Sequence, residues 1–130
     1  MGPLVDTSVL IDYFGGARTR EADVLDRCLA EGLAPAVAPV IVQEFMQGFS
    51  RPRDVARAQR YLEDFERVPA PGYETHEHAA ALHRDLKRAG RTTPTVDSLI
   101  VAIAREYDRV LLTRDDHQRR LAAHCDVELL

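Results

Sequence analysis

The sequence has little with which to cross a membrane, staple itself together or grip nucleic acid in bulk. No apolar stretch approaches the ~18–20 residues that a membrane helix needs, so no spanning segment is expected. There are only two cysteines, Cys28 and Cys125, far apart, in apolar surroundings and outside any CxxC or Cys/His cluster. Reduced structural thiols of a cytoplasmic protein are the expectation. The opening residues, Met1 to Asp6, have no basic n-region and reach an acid at once, so no signal peptide is expected. Lysine is nearly absent: Lys87 is alone among arginines. Seventeen Lys and Arg face twenty-one Asp and Glu, a net charge of −4. Bulk electrostatic binding of nucleic acid usually takes a basic protein, which leaves local basic patches or a metal bound by clustered acids. The five histidines fit no HExxH or Cys/His zinc pattern.

What is present reads as one domain over residues 1–130, without linker, repeat or low-complexity segment. Leu4-Val5 is a short apolar run, and Val9, Leu10, Tyr13 and Phe14 follow at helical spacing up to Gly15-Gly16. Helices are expected over 22–31, from Pro39 to about Phe49, over 53–66, over 74–89 and near 118–124. Another, opened by Thr93-Pro94, carries Leu99 to Ala104, apolar on every side and therefore buried. Ala34 to Ala38, Val110 to Leu112 and Val127 to Leu129 read as strands, and Arg67-Val68-Pro69 as an edge strand, since proline suits no central position. Short apolar strands alternating with helices predict an α/β domain of three layers, with a mostly parallel sheet of roughly five strands.

Ligands of such sheets bind beyond the carboxyl ends of the strands, and there the sequence places acids. Asp6 follows the first strand, Glu44 lies in the helix after the second, and Asp115-Asp116 follow the Leu111 strand. Asp97 lies in the first turn of the buried helix. Taken singly, Asp6, Asp97 and Asp115 have ordinary readings as helix caps or partners of a helix dipole. Glu44 is flanked by the apolar Val42, Phe45 and Met46, where an acid without a partner is rare. Gathered at one end of a sheet, such carboxylates repel one another unless a cation is present, and a hard divalent ion with oxygen ligands is the natural remedy. Receiver-type domains would need a lysine after a late strand, and haloacid-dehalogenase-type phosphatases an aspartate where Ser8 stands; this chain has neither.

The same residues resemble those of PIN-domain nucleases. Val5-Asp6-Thr7-Ser8-Val9-Leu10-Ile11-Asp12 is similar to their opening strand and turn, and Gln43-Glu44-Phe45 to their second acidic motif. Thr93 to Ala102, containing Asp97, resembles the third, and Leu111-Leu112-Thr113-Arg114-Asp115 the fourth. The four occur in order, at a length typical of the VapC-type toxins of bacterial toxin–antitoxin pairs. The fourth departs from the pattern T-x-D-x-D-F: Asp116, His117 and Gln118 follow Asp115, so His117 replaces the second aspartate. Spacing from Thr113 aligns Asp115 with the metal-site acid, and Asp116 is the other candidate.

The resemblance implies an endoribonuclease dependent on Mg²⁺ or Mn²⁺, with a metal-activated water cutting tRNA or rRNA to leave a 5′-phosphate and a 3′-hydroxyl. It implies Asp6, Asp97 and Asp115 as metal ligands and Glu44 as an outer ligand, a second-metal ligand or the group that orients the water. Thr7 or Ser8 would hydrogen-bond the Asp6 carboxylate or a metal-bound water, and Thr113 would similarly brace the fourth acid. Arg114 would contact substrate phosphate, and His117 is the one histidine near the site. A homodimer silenced by a cognate antitoxin is implied as well, with Phe45, Phe49, Tyr61 and Phe65 forming either a groove for it or simply core. A stand-alone RNA-processing nuclease and a non-catalytic binding module of the same fold are the alternatives.

Overall fold

The computed structural model describes residues 1–130. Its strands are very short: β1 Leu4–Val5, β2 Ala36–Val37, β3 Glu66–Arg67 and β4 Leu111–Leu112. All pair in parallel, in the order β3-β2-β1-β4, with Leu4 opposite Ala36 and Leu111, and Ala36 opposite Glu66. The residues of β1, β2 and β4 have no solvent exposure, which suits a parallel sheet covered on both faces. Edge strand β3 is exposed at both residues.

Seven helices flank the sheet: α1 Thr7–Phe14, α2 Arg20–Ala30, α3 Pro39–Met46, α4 Pro52–Tyr61, α5 Tyr73–Arg88, α6 Thr95–Glu106 and α7 Asp116–His124. Helix α1 packs on α2 and α3, and α6 lies between α5 and α7. As its composition requires, α6 buries Ile100 through Ala104. Helix α4 is shorter than the expected 53–66 segment. A 3₁₀ turn over Leu62–Asp64 breaks it, and Phe65 is extended, so that Glu66 N–H reaches Pro35 O at 2.8 Å and the chain joins the sheet edge.

The expected fifth strand does not form: the sheet has four strands, and the C-terminus adds only a single parallel bridge between Leu111 and Leu129. Asp126, at φ 59°, turns the chain just before this point, and Leu129 and Leu130 remain exposed. The two backbone bonds of this terminus to the sheet, Leu111 N to Glu128 O at 2.9 Å and Leu130 N to Leu111 O at 3.0 Å, both fall on Leu111. Phe14, Phe45, Phe49, Tyr61 and Phe65 pack edge-on or tilted with centroids 5.2–6.1 Å apart, so core packing accounts for them. Both cysteines are buried and free, and burial pushes both thiols up from their ordinary pKa, which disfavours the reactive thiolate.

The strands are aligned at their amino ends by a contact that sequence patterning gives no sign of. The buried Arg109 donates to Gly2 O at 2.9 Å and pairs with Glu66, linking the segments ahead of β4, β1 and the edge strand. Gly2 itself lies against the Ala34 carbonyl, where a Cβ would stand 2.2 Å from the oxygen. Gly2→Ala should therefore displace the start of the central strand and cost about 1–3 kcal/mol, as overpacking does. A denaturant midpoint unchanged from the parent would contradict this.

Candidate active site

Strand order places the site. From β1 the chain moves outward to β2 and β3, then returns so that β4 lies on the other side of β1. The topological switch is between β1 and β4, and ligands of such sheets bind beyond the carboxyl ends of the strands at that point. Asp6 and Thr113 are the first residues past these two strands.

Asp6 is the N-cap of α1, with extended backbone, and it is 4 % exposed. Its Oδ2 accepts from Ser8 Oγ at 2.7 Å, from Ser8 N at 3.2 Å and from Thr113 Oγ1 at 3.2 Å. Its Oδ1 accepts from Gln118 Nε2 at 2.8 Å. The capping role and a site role are thus compatible in one carboxylate, because capping uses Oδ2. Ser8 Oγ also accepts from Arg114 N at 3.3 Å, and Thr113 Oγ1 from Asp115 N at 3.0 Å, so two hydroxyls tie the turn after β1 to the turn after β4.

Asp97, half-buried in the first turn of α6, accepts from the same Gln118 Nε2 at 3.0 Å. Asp115 is the N-cap of α7 and accepts from Gln118 N at 2.9 Å. Asp6, Asp97 and Asp115 therefore meet around one glutamine. Asp116 points elsewhere: its side chain is 74 % exposed and lies 3.4 Å from Arg119, whereas Asp115 is bonded to Gln118, the residue that also bonds Asp6 and Asp97. Thr7, one residue from Ser8 but turned by helical rotation, bonds Glu44 Oε1 on α3 at 2.9 Å instead of Asp6. Glu44 is half-buried, and its hydrogen bond is the one from Thr7, which follows Asp6 in the chain. Arg114 pairs with Asp12 and is 45 % exposed at the rim, while Arg119 is held by Glu21 and Thr113 O.

No ion pair involves Asp6, Glu44, Asp97 or Asp115. The consequence is visible at Asp97. Burial raises its pKa above the ordinary carboxyl value, against the Gln118 hydrogen bond, and the Asp115 and Asp6 charges raise it further, with His117 opposing. His117 is thus within electrostatic reach of the cluster, and its Nδ1 is buried without a partner. No three His, Cys, Asp or Glu side chains close on one point at ligand distance. Protein donors occupy the positions between them: the Gln118 amide separates Asp6 from Asp97, and the Gln118 N–H holds Asp115.

Gln118 is the site residue that motif reading missed. A signal for it does exist. Gln118, Leu121, Ala122 and Cys125 recur at i, i+3, i+4 and i+7 and are all buried, so periodicity puts a polar amide on the inward face of α7.

The chain matches the PIN domain family over residues 4–124. It belongs to that family. PIN domains are generally nucleases that use divalent metals. Among solved structures it is similar to a toxin–antitoxin complex from Klebsiella pneumoniae, at 26 % identity and a TM-score of 0.66, over 88 % of this chain and 87 % of that one. It shares its fold with VapBC-1 from nontypeable Haemophilus influenzae, at 18 % identity and a TM-score of 0.75, covering 100 % and 97 % of the two chains. The same holds for FitAcB from Neisseria gonorrhoeae, at 18 % identity and a TM-score of 0.70, covering 98 % and 95 %. No helix of this PIN domain is long and apolar enough to cross a membrane.

The Asp97 environment sets a pH dependence. A raised pKa means that the folded state holds the proton more tightly than the unfolded chain does, so ionisation destabilises the fold. The penalty is absent below the unfolded-state pKa of about 3.9 and complete once pH passes the folded value. In metal-free protein, Asp97→Asn should keep the Gln118 contact, raise the melting temperature at pH 7 by a few degrees, and lose this advantage below about pH 4. A variant that melts below the parent at pH 7 would show that Asp97 stabilises the fold as a charge.

Proposed function

We propose that this PIN domain is a divalent-metal-dependent endoribonuclease and the toxin of a toxin–antitoxin pair. The observation that carries the reading is the meeting of Asp6, Asp97 and Asp115 around one buried residue, Gln118, whose side-chain amide bonds the first two and whose backbone N–H bonds the third, with no ion pair to an arginine or lysine at any of them. The donor set fits the cation. Every atom offered is oxygen, as Mg²⁺ and Mn²⁺ prefer, and Gln118 Oε1 is buried beside the acids without a hydrogen-bond donor.

Asp6 and Asp97 would hold the ion, and Asp115 would hold it directly or through water. When bound, a divalent cation supplies positive charge for a phosphodiester and acidifies a coordinated water. Everything else falls to the chain. Ser8 and Thr113 fix the Asp6 carboxylate in one orientation, so little reorganisation is needed as charge develops. Thr7 fixes Glu44 Oε1, which suits Glu44 to orient the attacking water or to serve a second ion. Arg114, exposed at the rim, offers a guanidinium to substrate phosphate once released from Asp12. Loops of structured RNA such as tRNA or rRNA are the expected substrates, because a single-stranded phosphodiester reaches in-line geometry that a regular helix prevents. The three structural neighbours support a cognate antitoxin as partner, and the net charge of −4 suits a basic antitoxin segment. A homodimer in the cytoplasm completes the reading.

Purified protein freed of antitoxin should cut RNA internally with Mg²⁺ or Mn²⁺, stop with EDTA, leave 5′-phosphate ends, and lose cleavage in Glu44→Gln. Cyclic 2′,3′-phosphate ends would sink the mechanism, since they report attack by the RNA's own 2′-hydroxyl. Absence of cleavage across total RNA, with metal binding intact, would favour a binding module. The fourth acid has its own test: Asp115→Asn should lower the cleavage rate about 100-fold or more, the upper range for disturbing a metal site. Asp116→Asn should stay near the parent, and a reversed order would reassign the role.

A further inference from the structure

Gln118 is anomalous in three ways. It is the only side chain that touches both Asp6 and Asp97, and its backbone N–H holds the third acid, Asp115. It is 1 % exposed. Its Oε1 has no hydrogen-bond partner. A primary amide offers two N–H donors at one end and one acceptor oxygen at the other. Here the donor end lies between the two carboxylates and the acceptor end is stranded. A buried acceptor left without a donor carries a desolvation penalty, which a residue serving only to fill space would not need to bear.

The arrangement makes sense if the amide has two orientations. Without a cation, the carboxylates repel each other, and the Nε2 hydrogens are the nearest positive partial charge available to both. With a cation held by the same carboxylates, N–H donors would point at a positive charge, whereas an amide oxygen would be attracted to it. A half-turn about the terminal side-chain torsion, which is soft for glutamine, exchanges the two ends without moving α7. We propose that Gln118 is a metal-site residue of this chain. Its Nε2 takes the cation's place between Asp6 and Asp97 in the metal-free protein, and its Oε1 turns to the cation, or to a water on it, when the metal binds. The proposal rests on the divalent-metal reading above and adds a neutral oxygen donor, from α7, to the three carboxylates.

Calorimetric titration of Mn²⁺ into the whole, antitoxin-free protein tests it, with thermal melts of each variant taken before metal is added. Gln118→Met keeps length and apolar packing but removes both amide ends, and should weaken Mn²⁺ binding by about tenfold while melting cooperatively. Gln118→Glu restores an oxygen donor. It should bind Mn²⁺ at least as tightly as the parent, and it should melt lower without metal, because a fourth carboxylate then faces Asp6 and Asp97. Parent-like or tighter Mn²⁺ binding by Gln118→Met would overturn the proposal, since the amide would then be a spacer or a competitor. Weakened binding by a folded Gln118→Glu would overturn it equally. Asp6→Asn serves as the control: if the parent binds no Mn²⁺, or Asp6→Asn binds it undiminished, the metal reading itself fails. If Asp6→Asn loses binding and Gln118→Met does not, only the role of Gln118 fails.

Discussion

A carboxylate buried without an arginine or lysine beside it must have its charge met by hydrogen bonds, and Asp6 organises its surroundings accordingly. It accepts from the backbone and hydroxyl of Ser8, from Thr113 and from Gln118, donors drawn from the turns after β1 and β4 and from α7. Each donor is then held in turn: Ser8 Oγ accepts from Arg114 N, Thr113 Oγ1 from Asp115 N, and Gln118 N bonds Asp115. Satisfying one buried charge thus fixes the relative position of three segments that are distant in sequence. The arrangement at the sheet's switch point follows from that requirement as much as from strand order.

The remainder of the fold is arranged so that this can happen at the end of two-residue strands. Strands so short contribute few ladder hydrogen bonds, and the helices on both faces supply most of the buried apolar surface. At the opposite end of the sheet Arg109 draws together Gly2 and Glu66, so both ends are tied by polar contacts that cross many residues of sequence. Asp97, by contrast, enters from α6 with its carboxyl raised by burial and by its acidic neighbours. Strain of this kind is common where a fold maintains a reactive cluster against its own stability.

Much of this was legible beforehand for clear reasons. The apolar run of α6 and the strands β1 and β4 follow from hydropathy alone, and β3 is at the edge as expected, although it runs over Glu66–Arg67, one residue ahead of the expected 67–69 run, and ends before Pro69. The acids at 6, 97 and 115 were legible because they directly follow strands or open a helix, and element order in an α/β fold puts those points together. The fifth strand was not, because Val127 to Leu129 has strand-like composition but its backbone bonds to the sheet all fall on one residue of β4, Leu111, a tertiary placement that composition does not show. The break after α4 was hidden as well: apolar spacing continues through Phe65, and only the Glu66 hydrogen bond to Pro35 pulls the chain out of the helix.

The sequence by itself determined the fold class, the four acidic positions and the family pattern, because these depend on local composition and on order along the chain. The tertiary structure decided which hydroxyl serves which acid: Thr7 goes to Glu44 and Ser8 to Asp6, a difference of one helical step. It sets Asp115 apart from Asp116, since the first caps α7 through Gln118 N while the second is 74 % exposed. And it decided the part played by Gln118. A glutamine in a sequence has no preferred partner, because its amide is neutral and serves donors and acceptors alike. Only the approach of α6, α7 and the β1 turn gives it two carboxylates to bridge and leaves its oxygen unsatisfied.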